Sequence, residues 1–478
     1  MDAAGADDLP LFAASRKVYP QSVSGPFRRA KWIILALCLG VYYLLPFLRW
    51  DRGPNLPNQA VLADIANGRF YFFFIEIWPQ EVYYFTGLLI LAAFILFLMN
   101  AIAGRLWCGY LCPQTVWTDL FLAVERAFEG DRRERMKRDE AGWSVPAALR
   151  KAGKHATWLI IAWWTGGAWV LYFADAPTLV RQLASFTAPL SAYLWIAILT
   201  FTTYSLAGIM REQVCKFMCP WPRIQAALTD DDALNVTYRY DRGEPRSSLK
   251  QALRLREQGA PAGDCIDCHQ CVAVCPTGID IRDGAQLDCI QCGLCIDACD
   301  TVMAKLDRPA RLIGYDTDDN VRRRIAGQPA VYRPVRLRTL LYAALILLVG
   351  GAMLYQLATR RTAEISVLHE RAPLFVRLGD GSIRNAYVVR LLNKRPDSRP
   401  FALTVAGLPG LRIDVVGATA TADLRPIVTV EPDASREVRV LVTAPADVHL
   451  DHSQTITFTA SDLFAGEVVT TRDHFLAP

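Results

Sequence analysis

The stretch Cys265-Ile-Asp-Cys268-His-Gln-Cys271-Val-Ala-Val-Cys275-Pro276 is followed by Cys289-Ile-Gln-Cys292-Gly-Leu-Cys295-Ile-Asp-Ala-Cys299, and both runs share the spacing Cys-x2-Cys-x2-Cys-x3-Cys. This is the spacing of bacterial two-cluster ferredoxins. Three thiolates on one tight loop suit three irons of a cubane, and the fourth thiolate of each run crosses to the other cluster. Cluster one is therefore expected on Cys265, Cys268, Cys271 and Cys299, and cluster two on Cys275, Cys289, Cys292 and Cys295. Zinc fits poorly, because its structural sites close on four ligands and do not normally use eight cysteines in paired runs. The second run ends in Asp300 where a proline is usual. Proline is not a ligand, so this bears on the local turn and the potential, not on cluster presence. His269, between ligands, reads as an exposed loop residue or one that tunes a cluster.

Working outward, all thirteen cysteines lie between Cys38 and Cys299, and the last 179 residues hold none. Such tight grouping fits metal ligation in a reducing compartment, not secreted disulfides. Cys38 stands alone in an apolar run and reads as a small buried hydrophobe. The remaining four form a duplicated Cys-x3-Cys-Pro: Cys108-Gly-Tyr-Leu-Cys112-Pro113 and Cys215-Lys-Phe-Met-Cys219-Pro220. Read as helical, an i, i+4 pair puts both sulfurs on one face. Each copy follows a long apolar stretch, so two similar hairpins would bring four thiols together. Thiolates are soft ligands that favour Cu(I), zinc or iron–sulfur. A redox or metal role for Cys108, Cys112, Cys215 and Cys219 is expected over a chance structural pair. The apolar stretches lack facing histidines for a haem, with only His155 at an edge, and no Gly-rich nucleotide fingerprint stands out. Electrons are thus expected from a separate cytoplasmic donor.

Apolar residues make up 52% of the 478 and charged residues 21%. A soluble chain carries about 25% charged residues, so global disorder is excluded and an ordinary cytosolic enzyme disfavoured. The net charge of +5 is too balanced to argue for nucleic acid. Five stretches approach the roughly 20 apolar residues that cross a bilayer: Trp32–Leu48, Val82–Ala103, Ala156–Ala174, Ala188–Met210 and Thr339–Leu357. Basic residues crowd the N-terminal arm, the 104–155 loop and the segment before the last span, whereas the loop between spans three and four has only Arg181. By the positive-inside rule the N-terminus and residues 211–338 are cytoplasmic, and an odd span count puts the C-terminal part in the periplasm of a bacterial inner membrane.

The domain reading follows: a loose polar cytoplasmic arm (1–31), a four-span region with the twin motifs (32–220), a linker (221–260), a ferredoxin-like domain (261–310), a basic linker (311–338), a fifth span (339–357) and a β domain (363–478). Within 49–81 the aromatic stretch Phe70–Glu81 reads as an interfacial belt, with Glu76 and Glu81 as the alternative lining of an access path. The 104–155 loop is expected to hold an amphipathic helix near Trp117–Phe128 and then a solvated, charged face. The short β-rich segments Ile365–Leu368, Ala386–Leu392, Ala402–Val405, Leu411–Val416, Ile427–Val430, Glu437–Val442 and Thr455–Thr459 point to an all-β sandwich. His369, His449, His452 and His474 are too scattered to establish a metal site, with His449 and His452 a weak copper pair at most.

The order of these parts resembles the CcoG family, also called FixG or RdxA, over nearly the whole chain. It is similar in its middle to NapH-type and NosR-type membrane ferredoxins, which lack this combination with an immunoglobulin-like C-terminal domain. The resemblance implies a multi-domain membrane protein with two [4Fe-4S] clusters and an immunoglobulin-like β-sandwich. It also implies reduction of Cu(II) to Cu(I) for the copper centre of cbb3-type cytochrome c oxidase, with copper as substrate handled at Cys108, Cys112, Cys215 and Cys219. Partners on this reading are the membrane, the cytoplasmic donor, and oxidase subunits or copper chaperones docked on the sandwich. A homodimer is left open. The rival functions are a quinol dehydrogenase subunit and a non-enzymatic assembly scaffold.

Overall fold

The computed structural model of the chain describes residues 17–53, 56–395, 397–420 and 425–478. Chain contacts divide it into two units, Met1–Trp50 with Gln59–Met353, and Asp51–Asn58 with Leu354–Pro478.

The first unit is mainly helical. In chain order its helices are α1 Pro26–Leu44, α2 Tyr83–Ala103, α3 Leu106–Tyr110, α4 Pro113–Glu129, α5 Arg132–Glu140, α6 Val145–Val170, α7 Ala176–Ala184, α8 Leu190–Thr203 and α9 Trp221–Leu228. After them come α10 Tyr240–Gly243, α11 Leu249–Glu257, α12 Gln270–Ala273, α13 Leu294–Lys305, α14 Asp318–Ile325 and α15 Leu337–Ala358, which ends beyond the unit boundary. Four helical stretches are long and apolar enough to cross a membrane: Pro26–Phe47, Tyr83–Ala103, Leu190–Met210 and Leu337–Ala358. α1 opens with Pro26 at its first position, where the missing N–H costs nothing, and closes in a tight turn containing Pro46. The expected third span, Ala156–Ala174, does not reach that standard. Its helix starts earlier, at Val145, with Ser144 as the N-cap, and stops at Val170. Its first turns therefore carry Arg150, Lys151 and Lys154, and only Ala156–Val170 is continuously uncharged. α8 runs on as a π-helix over Tyr204–Met210, and a second π segment covers Val214–Met218.

Several expectations about the connecting segments change. From Lys17 the N-terminal arm is docked: Gln21 donates to Ala273 O (2.8 Å) and Ser22 Oγ to Asp131 Oδ2 (2.6 Å). The part of the arm before Lys17 lies outside the described residues. The aromatic stretch folds into an antiparallel sheet of β1 Val61–Asp64, β2 Arg69–Phe72 and β3 Ile75–Ile77. Glu76 pairs with Arg69 (3.5 Å) and Glu81 accepts from Trp78 N (3.2 Å), so both carboxylates are engaged in local structure. The 221–260 segment is more than a linker, because β4 Asn235–Tyr238 pairs antiparallel with β5 Ile313–Asp316 and frames the cysteine-rich loops between them. The amphipathic helix lies as α4, at Pro113–Glu129.

The second unit is a two-sheet β structure. Its strands are β6 Ala363–His369, β7 Val376–Arg377, β8 Ile383–Asn393, β9 Arg399–Ala406, β10 Arg412–Val415, β11 Thr419–Ala420, β12 Pro426–Val430, β13 Ala434–Ala444, β14 Ser453–Asp462 and β15 Val468–Leu476. One sheet has the order β10-β13-β8-β6, with β7 also on β8, and the other β11-β12-β9-β14-β15. Alternation drives the packing: along β13, Val438, Val440 and Val442 are buried while Arg439 is exposed. Tyr387, Val389, Phe401, Val428, Ile456 and Phe458 help fill the core. Three of the four histidines make separate contacts, His452 with Ala477 O, His369 with Asn385 and His474 with Ser453, so His452 Nδ1 is engaged away from His449.

Candidate iron–sulfur and thiol site

The two cysteine runs fold alike. Asp267 (φ 55°) and His269 (φ 53°) in the first loop match Gln291 (φ 54°) and Gly293 (φ 75°) in the second, all left-handed. Alternating left-handed residues curl each loop so that its three cysteines face inward. The third cysteine then enters a helix, α12 or α13, which carries the fourth sulfur back towards the other loop. Cys265, Cys268, Cys271 and Cys299 line one pocket, beside Ile313 and Met303. Cys275, Cys289, Cys292 and Cys295 line the other, beside Val236, Ile279 and Ile281, with Cys271 also at its wall.

The donor set of eight cysteines on these two walls fits two iron–sulfur cubanes. Burial pushes the Cys271, Cys289 and Cys299 thiols up to about 12, so bare sulfurs here would stay protonated. Iron ligation is what stabilises thiolates in such an apolar cage. Asp300 lies inside α13 and not in a turn: without a proline there the helix continues to Lys305, and the Asp300 carboxylate accepts from Arg311 N (2.7 Å). His269 is held by Arg282 Nη2 (2.8 Å), which also binds Asp280.

The second cysteine loop is seated on the helical part of the same unit. α3 presses on it at Gly109, where an added Cβ would lie 2.8 Å from Ile290 O, 3.0 Å from Gln291 O and 3.1 Å from Cys292 Cα. Tyr110 Oη donates to Cys292 O (3.0 Å) and Tyr315 Oη to Gln291 O (2.5 Å). Arg105 N donates to Gln291 Oε1 (2.7 Å) and its guanidinium to Cys289 O (3.2 Å). On the other side of the domain, Asp297 of α13 accepts from Arg28 N (2.8 Å) and caps α1. None of these seats was found from the sequence. The Gly and Tyr between Cys108 and Cys112 were the available signal.

The twin motifs do bring their thiols together, but not on a helix face. Cys108 is in α3, whereas Cys112 (ψ 127°) is the extended N-cap of α4. Cys215 is in the π segment and Cys219 (ψ 121°) is extended after it. The cause is local: Pro113 and Pro220 push the residue before them out of the helical region. Burial lifts the Cys108 and Cys215 thiols to about 12. Cys112, Cys215 and Cys219 are all close enough to Cys108 to raise it further, while Arg105 opposes them. Cys108 Sγ also lies 3.5 Å from Gln225 Oε1.

Behind this site lies a buried charge network centred on α4; the charged run after α4 is largely exposed, as expected, apart from Arg135 and Lys154, which turn inward. Glu125 meets Arg135 and Arg211 (both 2.9 Å) and Lys154 (3.6 Å), and Asp119 meets Arg28 (3.1 Å) and Lys31 (3.0 Å). Burial would raise both carboxyls, but Arg211, Arg135 and Lys154 hold Glu125, and Lys31 and Arg28 hold Asp119, below the ordinary range.

Together the fold and site define an iron–sulfur electron-transfer protein with apolar spanning-length helices and an immunoglobulin-like C-terminal region. Residues 210–318 match a 4Fe-4S dicluster domain family, residues 85–129 a 4Fe-4S binding domain family, and residues 353–478 the family described as "IG-like fold at C-terminal of FixG, putative oxidoreductase". The chain is 47% identical over 462 residues to the nitrogen fixation protein FixG of Rhizobium meliloti (strain 1021), covering 91% of this chain and 88% of that one. It is 50% identical to RdxA of Cereibacter sphaeroides over 441 residues (91% of each chain), and 50% identical to RdxB of the same organism over 437 residues (91% and 90%). It belongs to the FixG/RdxA/RdxB family.

Proposed function

We propose that the chain is a membrane cupric reductase that delivers Cu(I) for assembly of the copper centre of cbb3-type cytochrome c oxidase. One observation carries the reading: Gly109, between Cys108 and Cys112, lies against the backbone of Cys292, so the thiols and the second cysteine loop share one contact. When bound, two [4Fe-4S] clusters on the assigned cysteines supply one-electron carriers. The chain's own part is to cage them, to clamp the second loop through Arg105, Tyr110 and Tyr315, and to gather Cys108, Cys112, Cys215 and Cys219 beside it. A Cu(II) ion takes one electron there, originating in a separate cytoplasmic reductant, and leaves as Cu(I), which soft sulfur favours.

In this reading α6 is a fifth span. Its uncharged part, Ala156–Val170, is about 22 Å long, short of the roughly 30 Å hydrocarbon core. Yet it packs tightly along α8, with Gly166 against Ile196 O and Thr200 N, and exposes Ile160, Trp163, Trp164 and Trp169. A helix packed on a spanning helix and showing such a face belongs in lipid, with Trp169 near the interface at its end and Trp163 and Trp164 within the apolar stretch. Five spans put the cysteine-rich domain in the cytoplasm and the sandwich in the periplasm, where it docks an oxidase subunit or a copper chaperone.

The test is to reduce anaerobic protein with dithionite, remove excess reductant, and offer Cu(II) with a Cu(I)-specific chelator. Stoichiometric loss of cluster reduction with Cu(I) formation is expected. The Cys108→Ser/Cys219→Ser double variant should keep the iron–sulfur absorbance and lose copper reduction. Unchanged reduction in that variant refutes the site. Oxidation by quinone but not by copper favours the dehydrogenase alternative, and clusters that cannot be cycled favour a scaffold.

A further inference from the structure

The two cysteine loops have matching backbones and unequal cover. In the second, Gln291, Cys292 and Gly293 are all buried: α3 lies on them at Gly109, and an added Cβ at Gly293 would sit 2.8 Å from Phe27 Cδ1. The matching residues of the first loop, Asp267, Cys268 and His269, are all exposed. Ligation alone does not ask for that difference, because both loops offer the same spacing of sulfurs.

β4 shows which loop is remote from the spanning-length helices. Leu234 N donates to Ile102 O (3.1 Å) near the end of α2. Further along, Val236 lines the second pocket and Tyr238 the first. A strand advances about 3.3 Å per residue, so from Asn235 to Tyr238 the chain moves about 10 Å away from that end.

The open mouth is braced from within. The buried Arg282 side chain binds Asp267 and Asp280, and its Nη2 lies 2.8 Å from His269 Nδ1. α11 flanks the same loop, since Ser247 N donates to Cys265 O (3.3 Å) and Arg256 pairs with Asp264 (2.8 Å). These pairs neutralise the acids nearest the mouth. α11 then turns Leu249 and Leu253 outward, with Lys250 and Arg254 beside them at the same i, i+4 spacing and Glu257 as the opposing charge. An apolar pair flanked by charge is the make-up of a small protein interface, and an excess of cations selects an acidic partner.

We propose that Asp267, Cys268, His269 and α11 form the docking face for a small acidic protein that carries one electron, and that electrons enter the chain there. One electron passes from the carrier, which is oxidised, to the iron–sulfur centre on Cys265, Cys268, Cys271 and Cys299, which is reduced. No bond is made and no proton moves. The covered second loop, packed against α3, is then the exit side. The inference rests on the cysteine assignment above and not on copper.

The test uses full-length protein in nanodiscs with a plant-type [2Fe-2S] ferredoxin, a small acidic one-electron protein, as the probe. Interferometry with the oxidised probe reads binding, stopped-flow absorbance with the reduced probe reads electron transfer, and the iron–sulfur spectrum before mixing checks the centres. Saturable, salt-sensitive binding is expected, with carbodiimide cross-links from probe carboxylates to Lys250. The Lys250→Glu/Arg254→Glu variant should keep the parent's spectrum, raise Kd about tenfold and slow transfer at limiting probe by a similar factor. Absence of saturable binding, or equal Kd in parent and variant, overturns the proposal. So do cross-links at Lys137 and Lys151 in place of Lys250. Protection of Lys250 from acetylation by anionic nanodiscs without probe would assign α11 to the membrane surface and overturns it too. Docking and transfer in protein that does not reduce copper would uphold this inference and refute the copper reading.

Discussion

Replacing Gly109 by alanine puts a methyl group 2.8 Å from Ile290 O, about 0.6 Å inside the 3.4 Å at which ordinary contact begins. The neighbours are main-chain atoms of the second cysteine loop, so no side chain can swing aside. Overpacking of this kind costs about 1–3 kcal/mol. The same change also gains about 1 kcal/mol of helix propensity, which would blur a measurement made on one variant. Gly40, towards the C-terminal end of α1, is the matched control: nothing lies within 4 Å of an added Cβ there, so Gly40→Ala keeps the propensity gain without the clash. The difference between the two variants isolates the contact. Taken up wholly at the seat of α3, it shifts docking by about 5- to 150-fold. Amide hydrogen exchange at Ile290–Cys292 should speed up by that factor in Gly109→Ala and stay level in Gly40→Ala. Cu(II) should oxidise the reduced clusters more slowly in the first variant alone. Equal exchange and equal oxidation rates in the two variants would refute the claim that Gly109 holds the thiols against the loop.

Glu125→Gln leaves Arg135, Arg211 and Lys154 facing a neutral amide in a buried site; removing one side of a buried ion network costs about 3–5 kcal/mol. A denaturation midpoint that implies less than about 1 kcal/mol would mean these cations are solvated after all. Acid should act on the same network. The Glu125 and Asp119 carboxyls titrate below their ordinary range, so their contribution is complete above the unfolded pKa of about 4 and is lost as pH falls through the folded value. A thermal scan from pH 6 to pH 3 should show a steeper loss in the parent than in the Glu125→Gln variant, and parallel curves would count against it. Removing iron with a chelator under reducing conditions should expose α13 to proteolysis, because burial keeps Cys271, Cys289 and Cys299 protonated without metal and leaves two lined pockets unfilled. Unchanged digestion would place the stability of this region in its side chains alone.

The parts of the fold visible in sequence were those written as local pattern. The cysteine spacing named its pocket walls, because each loop is a few residues long and each crossing sulfur sits one helix turn after its loop. Alternation located β8, β9 and β13. It missed β15, where Arg472, Asp473 and His474 interrupt the apolar pattern of a strand paired only with β14. Other features depend on residues far apart in the chain. Glu125 finds Lys154 and Arg211 only through the folding of α4 on α6 and of α8 on both, and nothing local separates those cations from a solvated face. The docking of Lys17 and Ser22 on Asp139 and Asp131 is likewise non-local. The break at each Cys-x3-Cys-Pro was different. Its signal, proline after the second cysteine, was present in the sequence and outweighs helical spacing.

The two copies of that motif share a spacing and differ in surroundings, and the difference follows from the three residues each encloses. Gly-Tyr-Leu gives the first copy a residue without a side chain where the backbones meet and a buried hydroxyl aimed at Cys292 O. It cannot move without disturbing the second cysteine loop. Lys-Phe-Met gives the second copy a lysine facing Asp288 (3.5 Å) and two apolar side chains, Phe217 and Met218, that are 72% and 55% exposed. That copy rests on a π segment, Val214–Met218, a geometry that occurs mostly as single turns and often at functional sites. On the proposed reading the duplication therefore divides the work. A rigid pair at Cys108 and Cys112 fixes the distance over which an electron must pass, and a pair at Cys215 and Cys219 on yielding backbone admits and releases the ion. Two identical rigid copies would hold copper well and release it slowly, and two yielding copies would leave the electron path undefined.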